Sequence, residues 1–456
     1  MKKQLYLIVL PLILILLVAC GAKAPADPAP TSDPAIAAAG EKVVDDLAAG
    51  DADAVFALFD EKVAKALPKE QVAGLWDQLI AQVGKYQGRG SASVAPNKEY
   101  LVASVPANFE KQALIINVVF NKDGKISGLN FQPAATPTPA AYIQPAYVDT
   151  SKFTEEEVTV GSGKWALPGT LTLPTGKGPF PVVVLVHGSG PNDRDETIGP
   201  NRPFKDIAWG LASQGIAVLR YDKRTNAHAE AFTPEVLQNL TLDDETSDDA
   251  ILAAKLLARD KRIDPGQIYV LGHSQGGMAA PRIGAQYPDL AGLIILAGLA
   301  GRLEDTVTDQ LTYIAGLDGT ISEAEKSQLQ MVKTAAAKVK DPALSVDTPA
   351  EELPLGIPAA WWLDLRDYHP AETAKTLAMP ILLLQGGRDY QVTKADFDLW
   401  QQTLKDKKNA KLIFYPDLNH LFIAGEGMAT PEEYMQPASV AQTVIDQIAE
   451  WIKAAK

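Results

Sequence analysis

The chain has 456 residues, 46% of them hydrophobic, and a formal net charge of −14. That length supports two or three domains with sizeable cores, and the acidic balance, with no basic run interleaved with aromatics, argues against nucleic acid or anionic lipid headgroups as partners. A single cysteine excludes an intrachain disulfide framework and any multi-cysteine metal site, and the five histidines show no close pair at zinc-ligand spacing, so no metal or cofactor is expected.

Met1-Lys2-Lys3 precede an apolar run from Leu5 to Val18. A charged start, a short apolar stretch and a small residue ahead of the cut describe an export signal over 1–19, and the run is shorter than the roughly 20 residues that span a bilayer. Leu17-Val18-Ala19-Cys20 resembles the lipobox of bacterial lipoproteins. The resemblance implies a lipidated Cys20 and a membrane-anchored, extracytoplasmic protein. An uncleaved apolar anchor would place the protein on the same side. Residues 20–33 are rich in Ala and Pro and read as a tether.

Asp33-Pro34 is a helix start, and Ile36, Val43, Val44 and Leu47 share one helical face that Gly50 closes. Further helices are predicted over 51–60 and 69–83. Beyond Gly90 the pattern changes to strands, "YLVASVPA", "ALIINVVFN" and "ISGLNFQP", with Lys122-Asp123-Gly124 as a turn signal. Helices followed by strands predict a small α+β domain over 34–133. This layout resembles the cone-shaped nuclear-transport-factor-like or cystatin-like domains found ahead of some secreted hydrolases, which implies a spacer or docking role rather than catalysis. Residues 134–150, rich in Pro and Ala, read as a linker.

From 151 the chain alternates short apolar runs with amphipathic segments. Two β-like stretches lead into "PVVVLVHGSG", a helix over 204–213, "IAVLRYDKR", a helix over 243–259, "IYVLGHS", a helix over 275–287 and "LAGLIILAG". Then follow "PILLLQGGRD", a helix over 394–405, "AKLIFYP" and a last helix over 437–452. This predicts an α/β class with a mostly parallel sheet covered on both faces. Residues 300–378 interrupt the alternation with helical material, including a capping box assigned to Thr320 and Glu323. An insertion beside strand ends reads as a cap over a site.

"YVLGHSQGG" runs an apolar strand into Gly272-His273-Ser274-Gln275-Gly276, a G-x-S-x-G pattern. So tight a strand-to-helix turn forces strained angles on its serine and needs small neighbours, and it lifts the hydroxyl above the sheet. The competing reading is an ordinary turn whose serine caps the helix. A nucleophilic serine needs a base. His369 and His420 are the histidines that follow it, and His420, just beyond "AKLIFYP", stands in the order Ser…Asp…His. His369, before a proline, reads as structural, with a substrate contact as the alternative. Asp389, straight after "PILLLQGGR", can orient His420, with Asp364 and Asp367 as rivals that follow no core strand. The oxyanion donors are expected to be the backbone N–H groups of Gln275 and Ser189.

Ser274, Asp389 and His420 in this order, with His187-Gly188 upstream, resemble the α/β-hydrolase superfamily. "HGSGPNDRDE", "YDKR", "GHSQGG" and "LQGGRDYQV" are similar to secreted bacterial serine esterases and to serine-aminopeptidase and dipeptidyl-peptidase-type hydrolases. Thr225 stands where such sequences often carry glycine. The resemblance implies an α/β-hydrolase domain over 151–456 acting on a small ester or a short peptide, and a lipoprotein carboxylesterase as the whole. Arg194, Trp361 and Trp362 are candidate pocket residues. Arg194 is also readable as part of an ion-paired loop, with Asp222-Lys223-Arg224 as its structural partner, and the two tryptophans as ordinary cap core. Glu304, Asp305 and Asp364 are the cap acids that a peptidase would need for a substrate amine. A non-catalytic envelope lipoprotein is the remaining alternative, and a complete triad argues against it.

Overall fold

Alternate residues of Val182–Val186 enter two different apolar cores: Val182, Val184 and Val186 one, Val183 and Leu185 the other. A strand buried on both faces has no polar side, so its sequence is a continuous apolar run. The computed structural model describes residues 33–97, 100–134 and 141–454. The predicted export signal, Cys20 and nearly all of the tether lie outside them. Among the described residues no helix is long and apolar enough to cross a membrane. The chain divides into two units, with the break at residues 139 and 140.

In the N-terminal unit, helices α1 (Pro34–Ala48), α2 (Ala52–Ala57), α3 (Glu61–Ala66) and α4 (Lys69–Val83) precede strands β1 (Tyr86–Arg89), β2 (Ser93–Asn97), β3 (Tyr100–Phe109), β4 (Ala113–Phe120) and β5 (Ile126–Pro133). The strands form an antiparallel sheet in the order β1-β3-β4-β5, with β2 also on β3. Asp33 caps α1 by accepting the N–H groups of Ala35 and Ile36. The helix predicted over 51–60 is α2, and α3, which was not predicted, follows it because Asp60 accepts the Val63 N–H at 2.8 Å and starts a new helix, while Phe59 bridges to Ile126. Gly40 lets α1 lie against β3: a Cβ there would stand 2.5 Å from that of Ala103.

The second unit contains β6 (Phe153–Val160), β7 (Leu167–Pro174), β8 (Phe180–Val186), α5 (Pro203–Ala212), β9 (Ala217–Tyr221), the short helices α6 (Arg224–Ala227) and α7 (Pro234–Leu237), and α8 (Asp248–Leu257). It continues with β10 (Ile263–His273), α9 (Gln275–Gln286), β11 (Gly292–Leu296), α10 (Leu303–Ala315), α11 (Glu323–Lys340), α12 (Ala359–Leu365) and α13 (Pro370–Thr376). The final elements are β12 (Ile381–Gly386), α14 (Lys394–Leu404), β13 (Ala410–Tyr415) and α15 (Gln442–Ala454). The sheet order is β13-β12-β11-β10-β8-β9-β7-β6, parallel from β13 to β9 and antiparallel at the β7 and β6 edge. Residues of α5 and α15 pack on one face of the sheet, those of α8, α9, α13 and α14 on the other.

Five local expectations need correction. Residues 142–149 do not form a free linker: Tyr142 donates to Asp206 at 2.7 Å and meets Trp209 edge-on, and Tyr147 donates to the Val440 carbonyl at 2.9 Å. Aromatic residues give that stretch surface to bury, which the Pro/Ala composition hid. The capping box of α11 is Ser322 with Glu325, not Thr320 with Glu323; Thr320 turns back to Asp318. The helix predicted from 243 begins as a π-helical turn over 243–247. The last helix starts at Gln442, because Asp206 takes the Val440 N–H and holds that segment extended against α5. The insertion after β11 carries α10, α11 and α12, whereas α13 packs on α9 and α14 and belongs to the layer over the sheet.

Candidate active site

Ser274 joins β10 to α9 with φ 53 and ψ −114. A non-glycine residue with positive φ is strained and persists only where its surroundings over-determine it. Here they do. The Ser274 N–H donates to the Leu296 carbonyl, and its own carbonyl accepts from Met278. The glycines around it leave no room for a side chain: a Cβ at Gly272 would lie 2.1 Å from the Gly276 carbonyl oxygen, and one at Gly276 2.2 Å from that of Val186. Ser274 is partly exposed.

His420 and Asp389 stand beyond the carboxyl ends of β13 and β12, on the same side of the sheet as the end of β10. Their side chains meet, His420 Nδ1 to Asp389 Oδ2, at 2.8 Å, both buried. Asp389 is itself fixed, because Oδ1 accepts the N–H groups of Gln391 at 2.7 Å and Val392 at 3.0 Å. The His420 ring lies 4.7 Å from that of His273, the residue before Ser274. Asn419 shapes the loop by accepting the N–H groups of Leu421 and Ile423, and Arg388 ties its far side to Glu433. Among the described residues no hydrogen bond joins the Ser274 hydroxyl to His420; such bonds are commonly long in unliganded sites and tighten with substrate.

Beside the elbow, both backbone groups of Gly188 are held. Its N–H donates to Glu196 Oε1 at 2.6 Å, and its carbonyl accepts from Lys223 Nζ at 2.9 Å. Across a trans peptide the next N–H points opposite to that carbonyl, so Lys223 sets the direction of the Ser189 N–H. The N–H groups of Ser189 and Gln275 have no partner among the described residues. Gln275 turns its side chain away, to Glu245 at 3.0 Å and Thr246 at 3.3 Å, leaving its backbone facing the elbow.

Residues 183–435 match the alpha/beta hydrolase family, and residues 40–129 match a family described as a protein of unknown function (DUF3887). The chain is 41% identical over 391 residues to the esterase EstD of Thermotoga maritima, an alignment covering 86% of this chain and 89% of that protein. The chain belongs to the alpha/beta hydrolase family. Among solved structures the hydrolase is similar in fold to Est1E from Butyrivibrio proteoclasticus, at 16% identity and a TM-score of 0.42, over 65% of this chain and 99% of that one. It is similar also to the Pyrococcus horikoshii acylaminoacyl peptidase, at 16% identity and a TM-score of 0.44, over 81% and 56%.

The pocket candidates divide. Arg194 is not a pocket residue: its guanidinium is spent on Asp222, Glu157 and Thr170 at 2.7–3.1 Å. Arg220 is held likewise by Asp195 and Glu155, and Arg224 by Asp249. Trp361 is buried and donates to Glu245 Oε2 at 3.1 Å, rooting the cap in the body of the hydrolase. Trp362 lines a cavity of about 520 Å³ between the cap and α9, along with Met278, Glu304, Asp305, Tyr368 and His369. That cavity is not lined by Ser274 or His420. Asp364 is taken by Arg282 at 2.6 Å, and Asp305 by Lys340.

Reading the sequence missed the buried charges of the hydrolase. Lys223 lies 2.7 Å from Glu245, and the two link the Gly188 carbonyl, the Gln275 side chain and the cap tryptophan Trp361. Glu196, with φ 51, turns inward beneath the elbow, where its Oε2 lies 2.9 Å from His273 Nδ1. Nothing in "DRDE" separates an inward glutamate from its solvated neighbours. The histidine next to the serine was the available signal, since an imidazole at the end of a buried strand needs partners. His187 is also buried, against Phe204 and Tyr221, and burial drives its imidazole down to about 4, so it is neutral.

Proposed function

We propose that the hydrolase cleaves carboxylic esters through an acyl-enzyme. Ser274 attacks the ester carbonyl, His420 takes its proton and returns it to the leaving alcohol, and water then repeats the cycle on the acyl-enzyme. Asp389 holds Nδ1 of His420 protonated, which leaves Nε2 free to accept. The N–H groups of Ser189 and Gln275 would receive the oxyanion, where one donor is worth about 100- to 1,000-fold in rate. The observation that carries this reading is the buried 2.8 Å contact of His420 with Asp389 beside the strained serine. The similarity to the esterase EstD supports esters as the substrate class. A peptidase reading has less support, because Asp364 and Asp305, acids proposed to hold a substrate amine, are already engaged by Arg282 and Lys340.

The test compares p-nitrophenyl acetate and butyrate with aminoacyl and dipeptidyl p-nitroanilides, using purified residues 21–456. Ester turnover is expected to dominate; faster amide turnover would overturn the reading. We also propose that Cys20 carries a lipid anchoring the enzyme outside the cytoplasm. Wild type grown with labelled palmitate is expected to take up the label and Cys20→Ser to take up none, and an unlabelled wild type would count against lipidation.

A further inference from the structure

Three segments that meet at the elbow belong to distant parts of the sequence: the loop after β8, the end of β10 and the loop after β13. One buried pair touches all three. His273 Nε2 lies 3.0 Å from the His420 carbonyl oxygen, Nδ1 lies 2.9 Å from Glu196 Oε2, and the other oxygen of Glu196 accepts the Gly188 N–H at 2.6 Å. Both side chains are almost wholly buried, at 6% and 2% exposure.

The protonation state follows from the contacts. A carbonyl oxygen can only accept, so Nε2 carries a hydrogen. Nδ1 and Oε2, 2.9 Å apart, are in ion-pair contact without the alignment of a hydrogen bond, and two lone pairs held so close would repel, which favours a proton on Nδ1 as well. Imidazole is the stronger base of the two, by about two pH units in water, and the Gly188 N–H favours the ionised carboxylate. The surroundings agree. Burial alone would push His273 down, but Glu196, the His420 carbonyl and Asp389 together hold it above its ordinary value. Burial would raise Glu196, but His273 and the Gly188 N–H hold it low. The other groups near the His273 ring are the His420 imidazole and the edge of Phe204.

We propose that Glu196 and His273 are positioning residues for the ester hydrolysis, a buried carboxylate–imidazolium pair that fixes the oxyanion loop, the nucleophile elbow and the base loop relative to one another. This rests on the reading of Ser274 and His420 given above. The pair touches no substrate. Glu196 orients Gly188 and hence the peptide that leads to Ser189, and His273 holds the backbone of His420 while its own chain continues into Ser274. Removing the charge from one member loosens all three at once without emptying the substrate pocket.

The experiment has two arms. In Glu196→Gln, which keeps the side-chain shape, kcat for p-nitrophenyl butyrate is expected to fall about 10- to 100-fold with KM nearly unchanged, and the unfolding midpoint to fall as well, because a buried ion pair loses one partner. In wild-type protein with ¹⁵N-labelled histidine, one ring is expected to show two protonated nitrogens at about pH 8, where an unperturbed histidine is neutral. That signature should vanish in Glu196→Gln and in His273→Gln. A wild-type spectrum with every ring neutral would overturn the proposal even if the variants fail to fold, and so would a folded Glu196→Gln with wild-type kcat. Should Ser274→Ala stay active, the reading of the active site fails while the imidazolium signature stands, so the two failures are distinguishable.

Discussion

Replacing Ser274 with alanine is expected to lower kcat for p-nitrophenyl butyrate about 10⁶-fold, to a residue of activity that substrate binding and the oxyanion donors alone sustain. The chemistry offers no substitute. The carboxylates of Glu196 and Asp389 are buried and already accept hydrogen bonds. The fold should be untouched. The Ser274 hydroxyl makes no hydrogen bond among the described residues, and the strained φ of 53 is imposed by backbone bonds to Leu296 and Met278 that alanine keeps. An unfolding midpoint within error of wild type is therefore part of the expected result. A fluorophosphonate probe checks it directly: wild type should label and Ser274→Ala should not. Labelling of the alanine variant would place the nucleophile elsewhere, and no labelling of folded wild type would favour a binding protein over an enzyme.

What the sequence made legible is what depends on chain order and local geometry. The strand "IYVLGHS" and the helix after it are readable from apolar run and glycine spacing, because the elbow is a local structure whose requirements fall on neighbouring residues. The aspartate and histidine that meet at 2.8 Å are readable because each ends an apolar run, and parallel strands bring their carboxyl ends together. Glu196, Lys223 and Glu245 were not readable, since each is one charge within an acidic or basic stretch and is selected by a turn that only the packed structure defines. Arg194 was readable both as a substrate contact and as part of an ion-paired loop with Asp222-Lys223-Arg224, and the structure has Asp222 holding its guanidinium, with Glu157 of an edge strand as the second partner. The tryptophans of the cap show the limit from the other side: adjacent in sequence and equally apolar, they separate into one anchored to Glu245 and one lining a cavity.

Asp389→Asn, a change of one atom, is expected to lower kcat about 10⁴-fold at neutral pH with KM little affected. The argument is one of hydrogen placement. Oδ1 of Asp389 accepts two backbone N–H groups, from Gln391 and Val392. An asparagine must keep its carbonyl oxygen there, because turning the amide would set its NH₂ against both donors. The NH₂ then occupies the place of Oδ2, 2.8 Å from His420 Nδ1. Facing a donor, Nδ1 must become the acceptor, and the ring proton moves to Nε2, the nitrogen that has to receive the proton of Ser274. The geometry survives and the base is lost. Gln385, whose NH₂ lies 3.2 Å from Oδ2 and also serves the carbonyls of Gly386 and Val392, would now face a second donor, which adds a modest loss of stability. Asp389→Ala separates the two effects, since it leaves the backbone donors of Gln391 and Val392 unpaired and should destabilise more while leaving His420 free to adopt either tautomer. Steady-state kinetics with p-nitrophenyl butyrate on both variants, read beside their unfolding midpoints, makes the comparison. An asparagine variant within about tenfold of wild type would mean that Asp389 does not set the tautomer of His420.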